Sequence, residues 1–279
     1  MFYMSANVNA FEKVVSFFGK TMNMPKAYGV FHTVSIIVIL SACLVAVFFR
    51  KRIDEKFLAY SMLVFGIVMA VFEVYKQIVM SYSPITDTWK YPWYIFPFQF
   101  CSTPIYITFI AFMLYKLKKR DQFKALTAFL GTYSLIGAVV VLFVGTNSVF
   151  SSIIGVNVQT MLHHGIMLLL AVMILFSGTV YFSLKTAVSA FKVFCVLVTM
   201  ALVMNSIYGD GTKFDMFYLA PESRFVYPMF NKLFGGNLPH FVYVIGYIVL
   251  FTLGMFLIIG IGRLITKYHA PKKKSSELS

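Results

Sequence analysis

The sequence predicts an all-α membrane protein, a polytopic bundle of seven transmembrane helices with its N-terminus outside and its C-terminus inside. Three observations predict this: seven long apolar stretches, an apolar composition, and a one-sided distribution of lysine and arginine. Each stretch is long enough to cross a hydrocarbon core of about 30 Å at about 1.5 Å per residue. The stretches are Val30–Phe49, Phe57–Met80, Trp93–Tyr115, Ala125–Val144, Thr160–Leu184, Thr186–Tyr208 and Phe241–Gly262.

The composition excludes a soluble globular domain. Hydrophobic residues make up 59% of the 279 residues and charged residues 12%, with a mean hydropathy of +0.81. A soluble domain of this length has too little interior to bury so much apolar surface. We therefore expect a multi-pass protein of the plasma membrane.

The basic residues set the expected orientation. Of the 24 lysines and arginines, 16 follow the first, third, fifth or seventh stretch, and the connection between the fourth and fifth stretches has none. Cytoplasmic loops carry the excess of lysine and arginine, so these four connections are expected inside. An odd number of crossings also requires termini on opposite sides, in agreement with the charge pattern.

The net charge of +14 does not indicate nucleic-acid binding, because its basic residues form short clusters next to the membrane and no soluble basic domain is left over. Membrane lipids are the expected partners. The chain divides into an outer amphipathic segment (1–26), a transmembrane domain (27–265) and a basic cytoplasmic tail (266–279). The outer segment is expected to contain a helix whose apolar face comprises Phe11, Val14, Val15 and Phe18.

Polar residues inside the apolar stretches lie mostly at the predicted outer end. Ionisable groups in a membrane cost about 2.5–3.5 kcal/mol each and normally face a bundle interior or a watery cavity. One polar cavity in the outer half of the bundle would accommodate all of them. The residues concerned are His32, Glu73, Lys76, Cys101, His163, His164 and Asn205.

Each of these residues also has a structural explanation. The three histidines could be ordinary interfacial side chains, and Glu73 with Lys76 could be an ion pair at the membrane edge. Cys101 could be a small buried apolar residue, and Asn205 could join two helices. Their common depth favours a functional role, because unrelated structural residues would be scattered over both ends.

The third stretch places Cys101 in an unusual context. Prolines at positions 92, 97 and 104 surround it, and each interior proline removes a backbone hydrogen bond. Pro97, Cys101, Pro104 and Thr108 are expected to share one face of the third helix, with Cys101 roughly 12 Å below its outer end. Irregular backbone at membrane depth is tolerated beside a cavity, so Cys101 is expected to face one.

Short motifs carry a family resemblance over most of the chain. They are Pro97–Cys101 (Pro-Phe-Gln-Phe-Cys), Gln159–His164 (Gln-Thr-Met-Leu-His-His), Asn205–Gly209 (Asn-Ser-Ile-Tyr-Gly) and Phe217–Pro221 (Phe-Tyr-Leu-Ala-Pro). In these positions the chain resembles the YwaF-like integral membrane proteins, which are similar to the eukaryotic transmembrane-protein-164 group. The eukaryotic members are regarded as acyltransferases that act on ether phospholipids through a membrane cysteine.

The resemblance implies roles for particular residues. Cys101 matches the family cysteine, and His163 or His164 matches the family histidine. Gln99 stands where the family pattern has a histidine, and Asp215-Met216 stands where it has Asn-Tyr.

The implied chemistry is acyl transfer by a cysteine thiolate, with no metal or cofactor expected. We assign Cys101 as nucleophile, His163 as base with His164 as the alternate, Asn205 as polar stabiliser, and Glu73 as the orienter of a histidine. We assign substrate binding to His32, Gln99 and Lys76. Two alternatives remain: a transporter or solute-binding module that uses the same cavity, and a metallohydrolase whose ligands would be His32, Glu73, His163 and His164.

Overall fold

The computed structural model of the chain describes residues 9–180, 182–208, 213–221, 232 and 238–269, and it is nearly all helical. Tyr82–Ser83 (β1) and Thr88–Trp89 (β2) form a short antiparallel pair, with Tyr82 opposite Trp89. The helices are Ala10–Phe18 (α1), Val30–Phe48 (α2), Glu55–Ser81 (α3), Thr103–Lys116 (α4), Arg120–Gly131 (α5), Tyr133–Val139 (α6), Ile154–Ser177 (α7), Leu184–Tyr208 (α8) and His240–His269 (α9). Residues 1–8 of the predicted N-terminal segment and residues 270–279 of the predicted tail lie outside the described residues.

By length and composition, six helical segments in the described part of the chain can cross a membrane. They are α2, α3, Arg120–Val144 (which combines α5, α6 and a π-helical turn), α7, α8 and His240–Ile265 of α9. Helix α4 is apolar but has only 14 residues, which corresponds to about 21 Å of helical rise. The prediction of an all-α, multi-pass membrane protein is confirmed.

The third predicted stretch is helical only in its second half, so the predicted face shared by Pro97 and Cys101 is wrong. A 3₁₀ turn covers Trp93–Ile95, irregular backbone follows, and α4 begins at Thr103 with Pro104 in its first turn. Proline is tolerated in a first helical turn, whereas Pro97 lacks an N–H to donate and restricts the residue before it. Cys101 therefore lies in a non-helical segment just before α4.

The fifth predicted stretch starts six residues too late. Helix α7 begins at Ile154, and it ends at Ser177 before Gly178, whose φ of 74° is the left-handed conformation of a helix terminator. His163 and His164 lie in its third turn, about 14 Å from its start by helical rise. Helix α7 is also the central helix, since 72% of its most apolar window is buried against 11% in α2.

An N-terminal segment packs on the end of the bundle at which α7 starts. Helix α1 begins with a capping box in which the side chains of Asn9 and Glu12 each accept a backbone N–H from the other. The Tyr75 hydroxyl of α3 donates to the Phe18 carbonyl, and the Ile154 N–H donates to the Lys20 carbonyl. The predicted helix in the outer segment is confirmed.

Candidate functional site

A cavity of about 340 Å³ lies between α3, α7 and the irregular segment before α4. It combines charged, amide, hydroxyl and imidazole side chains with an apolar remainder. The residues that line it are Glu73, Lys76, Met80, Tyr94, Ile95, Gln99, Ser102, Ser148, Val149, Phe150, Ser151, Val156, Gln159, Thr160, His163, His164 and Tyr218. Its size suits a small polar group or the headgroup region of a lipid.

One wall of the cavity is a hydrogen-bonded ion pair on α3. Lys76 Nζ lies 2.8 Å from Glu73 Oε1, and the two residues are three apart on the helix and therefore neighbours on its surface. The amide of Gln77 donates to the same carboxylate oxygen at 2.6 Å, and Gln159 of α7 approaches the other oxygen at 3.4 Å. Only 6% of the Glu73 side chain is exposed, so these partners stabilise a charge that would otherwise be costly to bury.

Tyr91 extends this network into the connection between β2 and α4. Its hydroxyl donates to Gln77 Oε1 at 2.6 Å, and Gln77 Nε2 also donates to the Ile95 carbonyl at 2.8 Å. Burial, and secondly the charge of Glu73, raise the pKa of Tyr91 to about 12. The phenol therefore stays protonated at neutral pH and keeps its role as a donor.

The two histidines present basic nitrogens that have no partner in the described part of the chain. His163 Nε2 lies 2.8 Å from the Cys101 carbonyl oxygen, and His164 Nδ1 lies 2.8 Å from the Thr160 carbonyl oxygen. A carbonyl oxygen only accepts, so these two ring nitrogens carry the protons. In the neutral rings His163 Nδ1 and His164 Nε2 therefore have lone pairs, and both atoms are buried without a hydrogen-bond partner.

Cys101 is half-buried and directly beside His163. The contact is made by its backbone carbonyl, whereas the predicted contact was with its thiol. The turn is also held by the N–H groups of Ser102 and Thr103, which both donate to the Gln99 carbonyl. Gln99 and Ser102, which flank Cys101 in sequence, both line the cavity.

Two amide side chains hold the 213–221 segment against this turn. Gln99 Nε2 donates to the Asp215 carbonyl at 2.7 Å, and Gln99 Oε1 accepts the Phe217 N–H at 3.1 Å. Asn205 Nδ2 donates to the Met216 carbonyl at 3.0 Å, and Asn205 Oδ1 accepts the Met216 N–H at 2.7 Å. The segment is thus fixed to both α8 and the Cys101 turn.

Backbone strain in this segment accompanies the placement of Tyr218 in the cavity wall. Phe217 and Tyr218 have φ angles of 60° and 57°, in the left-handed region that costs non-glycine residues about 1–2 kcal/mol each. The strained backbone is held by the hydrogen bonds from the Gln99 and Asn205 side chains and by the Tyr243 hydroxyl, which donates to the Tyr218 carbonyl at 2.6 Å. Burial, and secondly Cys101, raise the pKa of Tyr218 above its usual value.

Residues 27–261 match the TMEM164 family. The chain belongs to this family. The matched region contains every residue of the cavity wall and excludes α1. No curated protein and no solved structure matches the chain.

Within this TMEM164-family chain, the structure brings some predicted residues together at the cavity and places others elsewhere. Glu73, Lys76, Gln99, His163 and His164 line the cavity, and Cys101 lies beside it. The Glu73 carboxylate contacts Lys76 and the amide side chains of Gln77 and Gln159, so its predicted role as orienter of a histidine is not the arrangement found.

His32 and Asn205 are not in the cavity wall. His32 Nδ1 accepts the Tyr28 N–H at 2.8 Å near the start of α2, and its Nε2 donates to the Leu142 carbonyl at 3.0 Å. Both ring nitrogens are therefore used structurally, and so are both amide atoms of Asn205. The prediction of one cavity shared by all these residues is wrong for this pair.

The metallohydrolase hypothesis gains no support from this geometry. Within the described ranges, no group of three or more His, Cys, Asp and Glu residues is placed to hold a metal ion. His32 in particular uses both ring nitrogens in hydrogen bonds to backbone groups of Tyr28 and Leu142.

Sequence reasoning missed several polar members of the site, among them Gln77, Ser102, Gln159 and Tyr218. Gln77 follows Glu73 by four residues and Gln159 precedes His163 by four, so helical spacing alone could have found them. Ser102 adjoins Cys101 in the sequence, but no local pattern singles it out. Tyr218 carries no helical signal either, because an irregular segment brings it to the cavity.

Proposed function

We propose that this membrane protein is a cysteine-dependent acyltransferase that acts on membrane lipids in the outer half of the plasma membrane. The observation that carries the proposal is the position of His163. Its Nε2–H bonds the Cys101 carbonyl, while its Nδ1 has a lone pair and no partner in the described part of the chain. This arrangement supports the proposal because it would hold a base next to Cys101, which adjoins the cavity.

The reaction would proceed in two balanced half-reactions. In the first, His163 Nδ1 takes the Cys101 thiol proton as the sulfur attacks an ester carbonyl of the donor lipid. The ester C–O bond breaks, the protonated imidazole returns the proton to the leaving alkoxide, and a thioester forms on Cys101. In the second, the same nitrogen takes the proton of an acceptor hydroxyl as its oxygen attacks the thioester. The C–S bond breaks, a new ester forms, and the imidazolium returns the proton to the leaving thiolate.

The hydrogen bond from His163 to the Cys101 carbonyl would assist both steps. It selects the tautomer in which Nδ1 is basic, and it stabilises the imidazolium that forms during each transfer. His164 has the same combination of a carbonyl-bound N–H and a basic nitrogen. It is therefore the alternate base.

Substrate binding would use the charged wall. Lys76 and the amide of Gln159 supply donors for lipid headgroup oxygens, and the cavity wall includes the exposed Tyr94. In the proposed topology, with seven crossings and the N-terminus outside, this cavity opens toward the outer leaflet. Donor and acceptor would then enter from the side without crossing the membrane.

The ion pair supports a second candidate function, a transporter or solute-binding module. Glu73 and Lys76 form a buried charged pair in the wall of a cavity, a feature that also marks ion and solute pathways. In that case Cys101 is an inert neighbour and Glu73 is the essential residue.

A lipid-exchange assay separates the two functions. Purified protein in vesicles receives a phospholipid with a labelled acyl chain and an unlabelled lysophospholipid, and labelled product is measured. Acyl transfer predicts that Cys101→Ser abolishes product and that His163→Gln causes a loss of similar size, because members of one catalytic unit are not additive. The matched control is Cys195→Ser, which alters another half-buried cysteine outside the cavity wall.

The opposite result identifies the second function. If the wild-type protein forms no labelled product that depends on Cys101, the cysteine is not a nucleophile. Uptake or binding of a solute that Glu73→Gln removes and Cys101→Ser keeps would then identify transport or binding. Melting temperatures of all variants show that each remains folded.

A further inference from the structure

We infer that Tyr218 supplies the hydrogen bond that stabilises the oxyanion of the acyl-transfer intermediate, and that Gln99 and Asn205 act as positioning residues for it. This inference rests on the proposed acyl transfer and names a residue that the proposal leaves unassigned. Its starting observation is that Asn205, the residue first expected to stabilise the oxyanion, has both amide atoms committed to Met216.

The segment that Asn205 holds packs directly on the turn that carries Cys101. The Phe217 ring lies 5.8 Å from the Phe98 ring and 5.4 Å from the Phe100 ring, measured between centroids. Gln99, between these two phenylalanines, bonds the backbone of the segment on both sides of Met216. The position of the segment is therefore coupled to the position of the nucleophile.

The strained backbone indicates that the placement of Tyr218 serves a purpose beyond packing. Phe217 and Tyr218 are consecutive aromatic residues with φ near 60°, a conformation that side chains of this size rarely adopt. Such outliers persist only where surrounding contacts hold them, and they concentrate at functional sites. Here the contacts come from Gln99, Asn205 and Tyr243, and the result is that Tyr218 lines the cavity with His163.

The chemistry of the phenol suits this role. A tetrahedral intermediate on the Cys101 sulfur places a negative charge on the former carbonyl oxygen, and fixed hydrogen-bond donors in a water-poor site stabilise such a charge. A phenol has one donor hydrogen and remains protonated at neutral pH. Tyr218 donates without transferring its proton, so the proton balance of the two half-reactions is unchanged.

The test compares Tyr218→Phe with the wild-type protein in the lipid-exchange assay, with rates normalised to the monodisperse fraction in size-exclusion chromatography. Removing one oxyanion donor predicts a fall in kcat of about 10²-fold with little change in KM. The matched control is Tyr60→Phe, which removes the hydroxyl of an exposed tyrosine of α3 outside the cavity wall and should leave kcat unchanged.

Positioning residues give a second readout. Gln99→Leu should lower kcat, and Tyr218→Phe added to Gln99→Leu should cause little further loss, because both changes remove the same interaction. A wild-type rate for Tyr218→Phe, or losses that multiply in the double variant, would overturn the inference while the acyl transfer itself stands. Absence of Cys101-dependent transfer in the wild-type protein would overturn both.

Discussion

Replacing Asn205 by leucine tests whether this residue is a structural clamp. The change removes two hydrogen bonds to Met216 and leaves its buried N–H without a partner, whereas the Met216 carbonyl still accepts the Leu219 N–H. An unsatisfied buried polar group costs about 1–3 kcal/mol. We therefore expect Asn205→Leu to reduce the free energy of unfolding by about 2 kcal/mol, which corresponds to roughly 4–8 °C in melting temperature.

Thermal unfolding of the purified protein in one fixed detergent measures this effect. The matched control is Ser206→Ala at the next position of α8, where an exposed hydroxyl only bonds a carbonyl of its own helix. The control should shift the melting temperature by about 1 °C or less, as expected of a surface change. A shift for Asn205→Leu no larger than that of Ser206→Ala would refute the clamp.

The remaining predictions concern packing, charge and topology. Gly155→Ala should destabilise the protein by about 1–3 kcal/mol, because a Cβ there meets the Tyr75 hydroxyl that joins α3 to α1. Gly260→Ala is the control, since it adds a methyl group in open space on a helix and should be neutral or slightly stabilising. Equal melting temperatures of the two variants would contradict this. Glu73→Gln should lower the free energy of unfolding by about 3 kcal/mol, because it leaves Lys76 without its charged partner. Combining it with Lys76→Met should recover most of that loss. An unchanged melting temperature for Glu73→Gln alone would contradict this. Single cysteines introduced in the 116–124 loop should not react with membrane-impermeant thiol reagents applied to intact cells, because this basic loop is predicted to be cytoplasmic. Labelling from outside would contradict the proposed orientation.

Most of the fold could be predicted from hydropathy, because the length of an apolar run sets the length of a crossing helix. The errors lie where hydropathy does not show whether the backbone is helical. The run Trp93–Tyr115 is apolar throughout, yet its prolines keep the first ten residues out of an α-helix. Conversely, α7 extends toward its N-terminus past Gln159 to Ile154, because its polar residues bond within the protein and do not end the helix.

The sequence groups the candidate residues at one end of the bundle but does not predict where their side chains point. Charge asymmetry and helical rise predict an orientation and a depth, and the predicted depth groups Glu73, Cys101 and His163, which the structure places at or beside one cavity. Depth does not reveal which way a side chain points around its helix axis. His32 and Asn205 lie at the same end as the others, but their polar atoms bind backbone groups of Leu142 and Met216.

The partner of a polar side chain is the other quantity that sequence does not give. His163 bonds the backbone carbonyl of Cys101, and every residue has such a carbonyl, so no sequence motif could predict the contact. Tyr218 enters the cavity through left-handed backbone angles that no local propensity favours. Both features depend on how distant segments meet.

Direct detection of an acyl group on Cys101 tests the central claim. Protein in vesicles is incubated with a donor phospholipid that carries an isotope-labelled acyl chain, without an acceptor, and is then quenched in acid and digested for mass spectrometry. The proposed mechanism predicts a labelled, hydroxylamine-sensitive thioester on the peptide that contains Cys101, which disappears when a lysophospholipid is added and is absent from His163→Gln. Undiminished acyl transfer by Cys101→Ser, with no label on Cys101 in the wild-type protein, would contradict it.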